Sequence, residues 1–101
     1  EQVIPTAAVQ SISGGGDPAK FAGAGYTTLQ GGSYRSQWWA LHNKNGAYSA
    51  RGIHGQAIYV DPAAEMVIAR FATFPISFNA AIDPTSLPAY QAVADYLIKK
   101  P

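Results

Sequence analysis

The spacing of apolar positions changes character along this chain, and each change predicts an element. IPTAAVQSIS, from Ile4 to Ser13, fits a short helix. Pro5 suits an early helical position, Thr6 or a neighbour can cap it, and Gly14-Gly15-Gly16 ends it. DPAKFAGAG fits a second short helix, with Asp17 as N-cap, Pro18 in the first helical position and Gly23 or Gly25 as the stop. After a loop containing Gly31 and Gly32, the rhythm becomes that of strands. YRSQWWALHN, Tyr34 to Asn43, is aromatic-rich and reads as one strand. NKNG supplies a turn, because Asn45 and Gly46 tolerate positive φ, and AYSARG returns. HGQAIYVD reads as extended, with Ile58 and Val60 on one face and Ala57 and Tyr59 on the other. DPAAE turns the chain, and EMVIARFA is apolar at almost every position, which predicts a central strand covered on both faces. TFPISFNAAIDP is a loop. TSLPAYQAVADYLIKK is the strongest helix pattern. Thr85 or Ser86 caps it, and Leu87, Tyr90, Ala94, Leu97 and Ile98 fall at helical spacing.

The prediction is therefore α+β. Short helices and a loop occupy residues 1–33, and an antiparallel three-strand meander spans about residues 34–71. A C-terminal helix over about residues 86–99 packs on the sheet. Residues 34–101 then form sheet strands and a closing helix, within one incomplete domain.

Composition sharpens this. Only 13% of the 101 residues are charged, against an average of about 25% for globular chains. The shortfall predicts that part of the surface is normally covered. The net charge is +1 and the basic residues are scattered, so no basic patch points to nucleic acid. There are no cysteines, which excludes disulfides, thiolate metal sites and thiol nucleophiles. No apolar run approaches the ~18–20 residues of a membrane span, and no signal peptide is visible. The chain starts at Glu1, as a mature chain or a piece of a longer one would. Cytoplasmic and exported locations both stay open.

Candidate chemistry is sparse. The two histidines, His42 and His54, stand in no His-x-x-x-His or Glu-x-x-His spacing, so no metal site and no cofactor is expected. No serine lies in a Gly-x-Ser-x-Gly elbow, which argues against a self-contained serine–histidine–acid triad. Gly52-Ile53-His54-Gly55 holds a histidine between two glycines. His54 can be a strand-start histidine bonded to backbone or packed beside Trp38 or Trp39. Gly52 and Gly55 can mark a bulge or bend, or the close approach of a ligand to a strand edge. Alternation puts Trp38 and Trp39 on opposite faces. Arg51 and Arg70 read as surface or cleft-edge residues, and Tyr48 and Tyr59 as sheet-face packing.

The stretch SYRSQWWALHNKNGAYSARGIHGQAIYVDPAAEMVIARFATFP, followed by NAAIDPTSLPAYQAVADYLIKK, resembles the C-terminal part of serine hydrolases with the β-lactamase/penicillin-binding-protein fold. Within that family it looks most like the nylon-oligomer hydrolases and their esterase-like relatives. The resemblance runs through GIHGQAIYVDP and the DPTSLPAY helix start together. It implies a five-stranded antiparallel sheet flanked by terminal helices, with this piece supplying three strands and the closing helix. It also implies an acyl-enzyme mechanism, with a Ser-x-x-Lys nucleophile and an assisting tyrosine from a Tyr-x-Asn-like motif.

Neither motif is here. Ser11, Ser13, Ser33, Ser36, Ser49, Ser77 and Ser86 all lack Lys three residues on, and no tyrosine has Asn two residues on. The resemblance thus implies a partner, the upstream nucleophile-bearing part of the same hydrolase. Ala50-Arg51-Gly52 occupies the place of the family's Lys-Thr-Gly, so β-lactamase activity is put in doubt and amide or ester hydrolysis is left. The resemblance implies that Ile53 N–H is an oxyanion donor with Gly52 letting substrate approach, and that Trp39 contacts substrate. Arg51 and His54 are the further candidates for substrate binding, although His54, alternating to the other side of the strand, reads as structural. The partner molecule is then a small amide or ester, with no nucleic acid and no membrane. Two alternatives stand beside this: a non-catalytic binding relative of the same fold, and an independent small α+β binding module.

Overall fold

The structure is a computed structural model and describes residues 2–100. Two short helices open it, α1 (Thr6–Gly14) and α2 (Pro18–Ala22). The sheet follows: β1 (Ser33–Arg35), β2 (Trp38–Ala40), β3 (Tyr48–Arg51), β4 (Ala57–Asp61) and β5 (Met66–Arg70). Helix α3 (Asp83–Lys99) closes the chain, and single 3-10 turns sit at Thr27–Leu29, Ile53–Gly55 and Asn79–Ala81. The five strands pair in chain order, each antiparallel to the next.

The α+β class stands, but three strands become five. Part of the excess lies in the aromatic run. Ser36 (φ 52) and Gln37 (φ 69) form a two-residue turn that splits it into β1 and β2, with Arg35 opposite Trp38. Positive φ at both central positions is the geometry of the type I′ hairpin, usually advertised by Asn-Gly. Neither residue advertises it here.

One face of the sheet carries the core. Tyr59 and Met66 from the sheet meet Tyr90 and Ala94 of α3, joined by Ala47 and flanked by Leu41, Ala64, Ile68 and Leu87. Tyr59 and Tyr90 rings lie 4.9 Å apart. Leu87, Tyr90 and Ala94 thus face the sheet as their spacing predicts, whereas Leu97 and Ile98 overhang it and are exposed. The helix begins at Asp83, earlier than predicted, and no side chain caps it.

The opposite face is covered only at one end. Ala40, Tyr48, Val60 and Val67 are register partners across four strands and so share that face. Ala40 is buried under the Gly15–Gly16 segment, while Val67 is 64% exposed. The expected central strand EMVIARFA is thus an edge strand among the described residues, with Val67 bare and Phe71 just beyond it 92% exposed. Its apolar pattern reports a need for cover on both faces, which these residues meet on one.

Two turns are tied by side chains. Asp61 is fully buried, and its carboxylate accepts from Ala64 N–H (3.0 Å) and from Asn45 Nδ2 (2.9 Å). That joins the β4–β5 turn to the β2–β3 turn. At α2, Asp17 caps as expected, accepting from Ala19 N–H at 2.9 Å. Helix α1 starts at Thr6 after Pro5, has no side-chain cap, and buries none of its residues.

Candidate functional site

The chain does not stay extended after β3. Gly52 ends the strand and Ile53–Gly55 form a 3-10 turn, with His54 at φ 56 and Gly55 at φ 91. The reading of HGQ as extended, with His54 at the start of a strand, is therefore corrected. The loop folds back on itself because the 72–79 segment holds it. His54 N–H donates to Ser77 O (3.2 Å) and Phe74 N–H to His54 O (3.1 Å), while His54 Nδ1 lies 2.7 Å from Phe74 O. The Gln56 side-chain amide pairs with Ala72 as a strand residue would, accepting from Ala72 N–H at 3.0 Å and donating to Ala72 O. Arg70 Nε donates to Gly55 O at 2.6 Å.

This leaves a specific inventory. Gly52 N–H donates to Gln56 O (2.9 Å), Gly52 O accepts from Asn79 Nδ2 (2.8 Å), and Gln56 N–H donates to Ile53 O (3.4 Å). Two N–H groups of the loop have no acceptor among the described residues, those of Ile53 and Gly55. Gly55 is buried and Ile53 is 67% exposed. The spare donor of the exposed residue is thus Ile53 N–H.

The glycines answer to internal packing. A Cβ on Gly52 would stand 2.9 Å from Gln56 Cβ, so glycine is needed there by the chain itself, whatever approaches from outside. Gly55 combines positive φ with direct contact against the Phe74 ring.

Two adjoining clefts share Trp39, Arg51 and Gly52. One, of about 600 Å³, runs along the strand ends past Tyr34, Gln56 and Phe71. The other, of about 490 Å³, lies between the β3 end and the α3 start and includes Ile53, Phe78, Asn79 and Asp83. The sequence-derived candidates Trp39, Arg51, Gly52 and Ile53 therefore come together on the second cleft. His54 lines neither; its ring is engaged with the backbone of Phe74.

Arg51 is no surface residue. Its guanidinium lies 2.8 Å from Asp83 Oδ2, with side-chain exposures of 12% and 3%. Thr28 Oγ1 donates to the same oxygen at 2.5 Å. β3, the start of α3 and the turn after α2 are thereby pinned at one point beside Gly52. Arg70 is likewise committed, since it donates to Ser86 Oγ (2.6 Å) and stacks over Tyr90 and Phe74, 5.5 and 5.6 Å from their centroids. Trp39 packs edge-on against Tyr34 (4.7 Å between centroids), and Trp38 against Tyr48 on the other face (5.4 Å). Trp39 Nε1 and Asn79 Oδ1 are buried without partners among the described residues, and both residues line the second cleft.

A serine–histidine contact does occur elsewhere. Ser33 Oγ lies 2.6 Å from His42 Nε2 and accepts from Gly16 N–H at 2.9 Å. Ser33 is fully buried and no carboxylate follows His42 in the chain of contacts, so this pair locks the N-terminal segment to β1 and presents no nucleophile. Among the described residues no group of three or more His, Cys, Asp or Glu could hold a metal ion, and no helix is long and apolar enough to cross a membrane.

Sequence reasoning missed Thr28, Asn79 and Asp83. Each sits in a stretch read as a loop or a helix start; Asn79 and Asp83 lie within NAAIDPTSLPAY, quoted for the resemblance, but no role was attached to either. Only the folded arrangement brings them to the β3 end.

No protein-family profile matches the chain. Over 75 residues, 73% of its length, it is 35% identical to 6-aminohexanoate-dimer hydrolase of Paenarthrobacter ureafaciens. The chain is similar to a piece of a hydrolase. It spans 19% of that relative's length. The likeness is distant and supports a fragment of that hydrolase family.

Proposed function

We propose that the chain is the C-terminal part of a serine hydrolase that cleaves amide or ester bonds of small linear substrates through an acyl-enzyme. The observation that carries this reading is Ile53, an exposed residue just past the end of β3 on a cleft, whose N–H has no acceptor among the described residues. A tetrahedral intermediate carries an oxyanion, and a preorganised backbone N–H stabilises it most where nothing must move at the moment of reaction. The bonds fixing residues 52–56 on either side supply that rigidity. Ile53 N–H is one donor, and the nucleophile's own N–H, upstream, is the other. Trp39 forms the cleft wall. Arg51 supports the site through Asp83 and Thr28 and lines the cleft with its stem. His54 lines neither cleft, and its part in this reading is to hold the loop through Phe74 and Ser77.

The similarity to 6-aminohexanoate-dimer hydrolase supports the choice of linear amide, and its esterase-like relatives the choice of ester. The upstream part of the hydrolase is the partner, carrying a Ser-x-x-Lys nucleophile.

The test compares the full-length polypeptide with this chain alone, using a 6-aminohexanoate dimer and a short-chain p-nitrophenyl ester. The full-length polypeptide should turn over at least one, and Ile53→Pro, which deletes the N–H, should lower kcat about 100-fold or more. The chain alone should be inert and should not label with a serine-directed reagent. A full-length polypeptide that has Ser-x-x-Lys upstream yet turns over neither substrate would leave the binding reading in its place.

A further inference from the structure

We infer that Asn79 is the positioning residue of the oxyanion donor, a role that rests on the reading of Ile53 N–H given above. The group that stabilises the oxyanion belongs to the Gly52–Ile53 peptide, whose two ends are Gly52 C=O and Ile53 N–H. No peptide bond among the described residues is cis. In a planar trans peptide the C=O and the N–H point in opposite directions, so fixing one aims the other. Asn79 Nδ2 donates to Gly52 O at 2.8 Å, and this is the only bond on that carbonyl among the described residues. It therefore sets the plane in which Ile53 N–H lies.

The restraint is needed because of where the peptide sits. Gly52 is past the last β3–β4 register pair, Arg51 with Ala57, and its N–H bond to Gln56 O holds the preceding peptide, leaving the Gly52–Ile53 peptide outside the ladder. The Gly52 φ of −108 and ψ of 170 lie in a broad basin where a glycine rotates freely. Without Asn79, the peptide can swing and take the donor off its line. Asn79 is itself held, since it opens the 3-10 turn Asn79–Ala81 directly before α3. The helix start thus fixes the amide, and the amide fixes the donor. The amide cannot sit the other way round. Exchanging its ends would set Oδ1 against Gly52 O, two acceptors face to face. A hydrogen bond on the carbonyl also polarises the peptide and strengthens its N–H as a donor.

The experiment uses the full-length polypeptide with two variants, Asn79→Asp and Asn79→Leu, each close to asparagine in size. The expected result at neutral pH is a fall in kcat of about 10–100-fold in both, short of the roughly 100–1,000-fold of deleting a donor outright, with KM within about threefold. In the Asn79→Asp variant the introduced carboxyl donates to Gly52 O once protonated. Its kcat relative to wild type should therefore recover as pH falls towards about 4, while that of Asn79→Leu should not. A role in packing alone would give no such difference. In the same proteins labelled with 15N-isoleucine, the Ile53 amide nitrogen should shift upfield, as expected when a hydrogen bond is lost from the preceding carbonyl, while the Ile58 and Ile68 signals stay in place. Unchanged kcat in both variants, or an unmoved Ile53 signal, would overturn the proposal. If the wild type turns over no ester or amide, the oxyanion reading falls, and the Ile53 signal alone then decides whether Asn79 sets that peptide.

Discussion

Removing one half of the Arg51–Asp83 pair will cost more than removing both. The pair is close (2.8 Å) and withdrawn from water, with side-chain exposures of 12% and 3%. Surface pairs contribute about 0–1 kcal/mol, but a buried charge stripped of its partner costs about 3–5 kcal/mol. Asp83→Leu leaves the Arg51 guanidinium against an apolar neighbour. Arg51→Met leaves Asp83 with Thr28 as its only side-chain donor among the described residues. Each single variant should therefore lose about 3–5 kcal/mol of unfolding free energy. The double variant replaces both charges with apolar volume, and should lose no more than about 1–2 kcal/mol, because such replacements run from neutral to stabilising. The coupling is then at least about 4 kcal/mol, above the usual range of about 0.5–3 kcal/mol for neighbouring residues, as expected of a buried charge pair. Thr28→Val removes one charge-assisted bond and should cost about 1.5–3 kcal/mol on its own, and close to nothing once Asp83 is gone. Urea unfolding of the full-length polypeptide, extrapolated linearly to zero denaturant, measures wild type and every variant. Additive losses in the double variant would refute the reasoning, since two sites that add do not share an interaction.

Glycine substitutions should separate three situations. Gly55→Ala meets both a positive φ of 91 and the Phe74 ring, and should destabilise by about 2–4 kcal/mol. Gly25→Ala has positive φ but open space around it, and should cost about 1–2 kcal/mol. Gly14→Ala meets nothing, lies at the end of α1 and should be neutral or stabilise by about 0.5–1 kcal/mol; thermal melts rank the three. Alkaline stability depends on Tyr59. Burial, the largest cause, pushes its phenol above the usual value of 10.0. The neutral phenol is the form the fold keeps, so its contribution is complete below pH 10.0 and is lost as pH rises through the folded value. Tyr59→Phe should flatten the fall in stability above that pH, and an unchanged slope would count against it.

How much of this was legible in the chain follows from what local patterns encode. Helix α3, the cap at Asp17 and a turn at NKNG, where Gly46 N–H closes on Asn43 O and Gly46 alone takes positive φ, were readable because each rests on short-range chemistry, periodicity or turn propensity. The Ser36-Gln37 turn was not, because its positive φ values are imposed by the strands it joins and carry no residue signal. The same holds at His54, where φ 56 is maintained by bonds to Phe74 and Ser77, about twenty residues ahead. A histidine between glycines beside an apolar run reads as the entrance to a strand until those partners are in place. β5 is a different kind of miss. Its apolar pattern asks for cover on both faces, and the charge deficit of the whole chain asks for the same; Val67, Phe71 and Ile58 stand exposed where that cover would lie. The proposed upstream part of a hydrolase would account for the pattern, the low charge and the bare face together.

The candidate site divides along the same line. Gly52 and Ile53 were reachable from sequence only because the resemblance points to the strand end; composition says nothing about a backbone N–H. The residues that make the N–H useful were out of reach. Asn79 lies 27 positions from the carbonyl it holds, and Asp83 lies 32 from Arg51. Both stand at the start of α3 or one turn before it. The helix therefore has two roles that its amphipathic pattern cannot separate. Its middle, through Tyr90 and Ala94, fills the core. Its first turn braces the β3 end from behind, with a carboxylate on Arg51 and a neighbouring amide on Gly52. A substitution in the first turn should thus disturb the cleft more than the core, and one at Ala94 the core more than the cleft, although both lie on one helix and face one sheet.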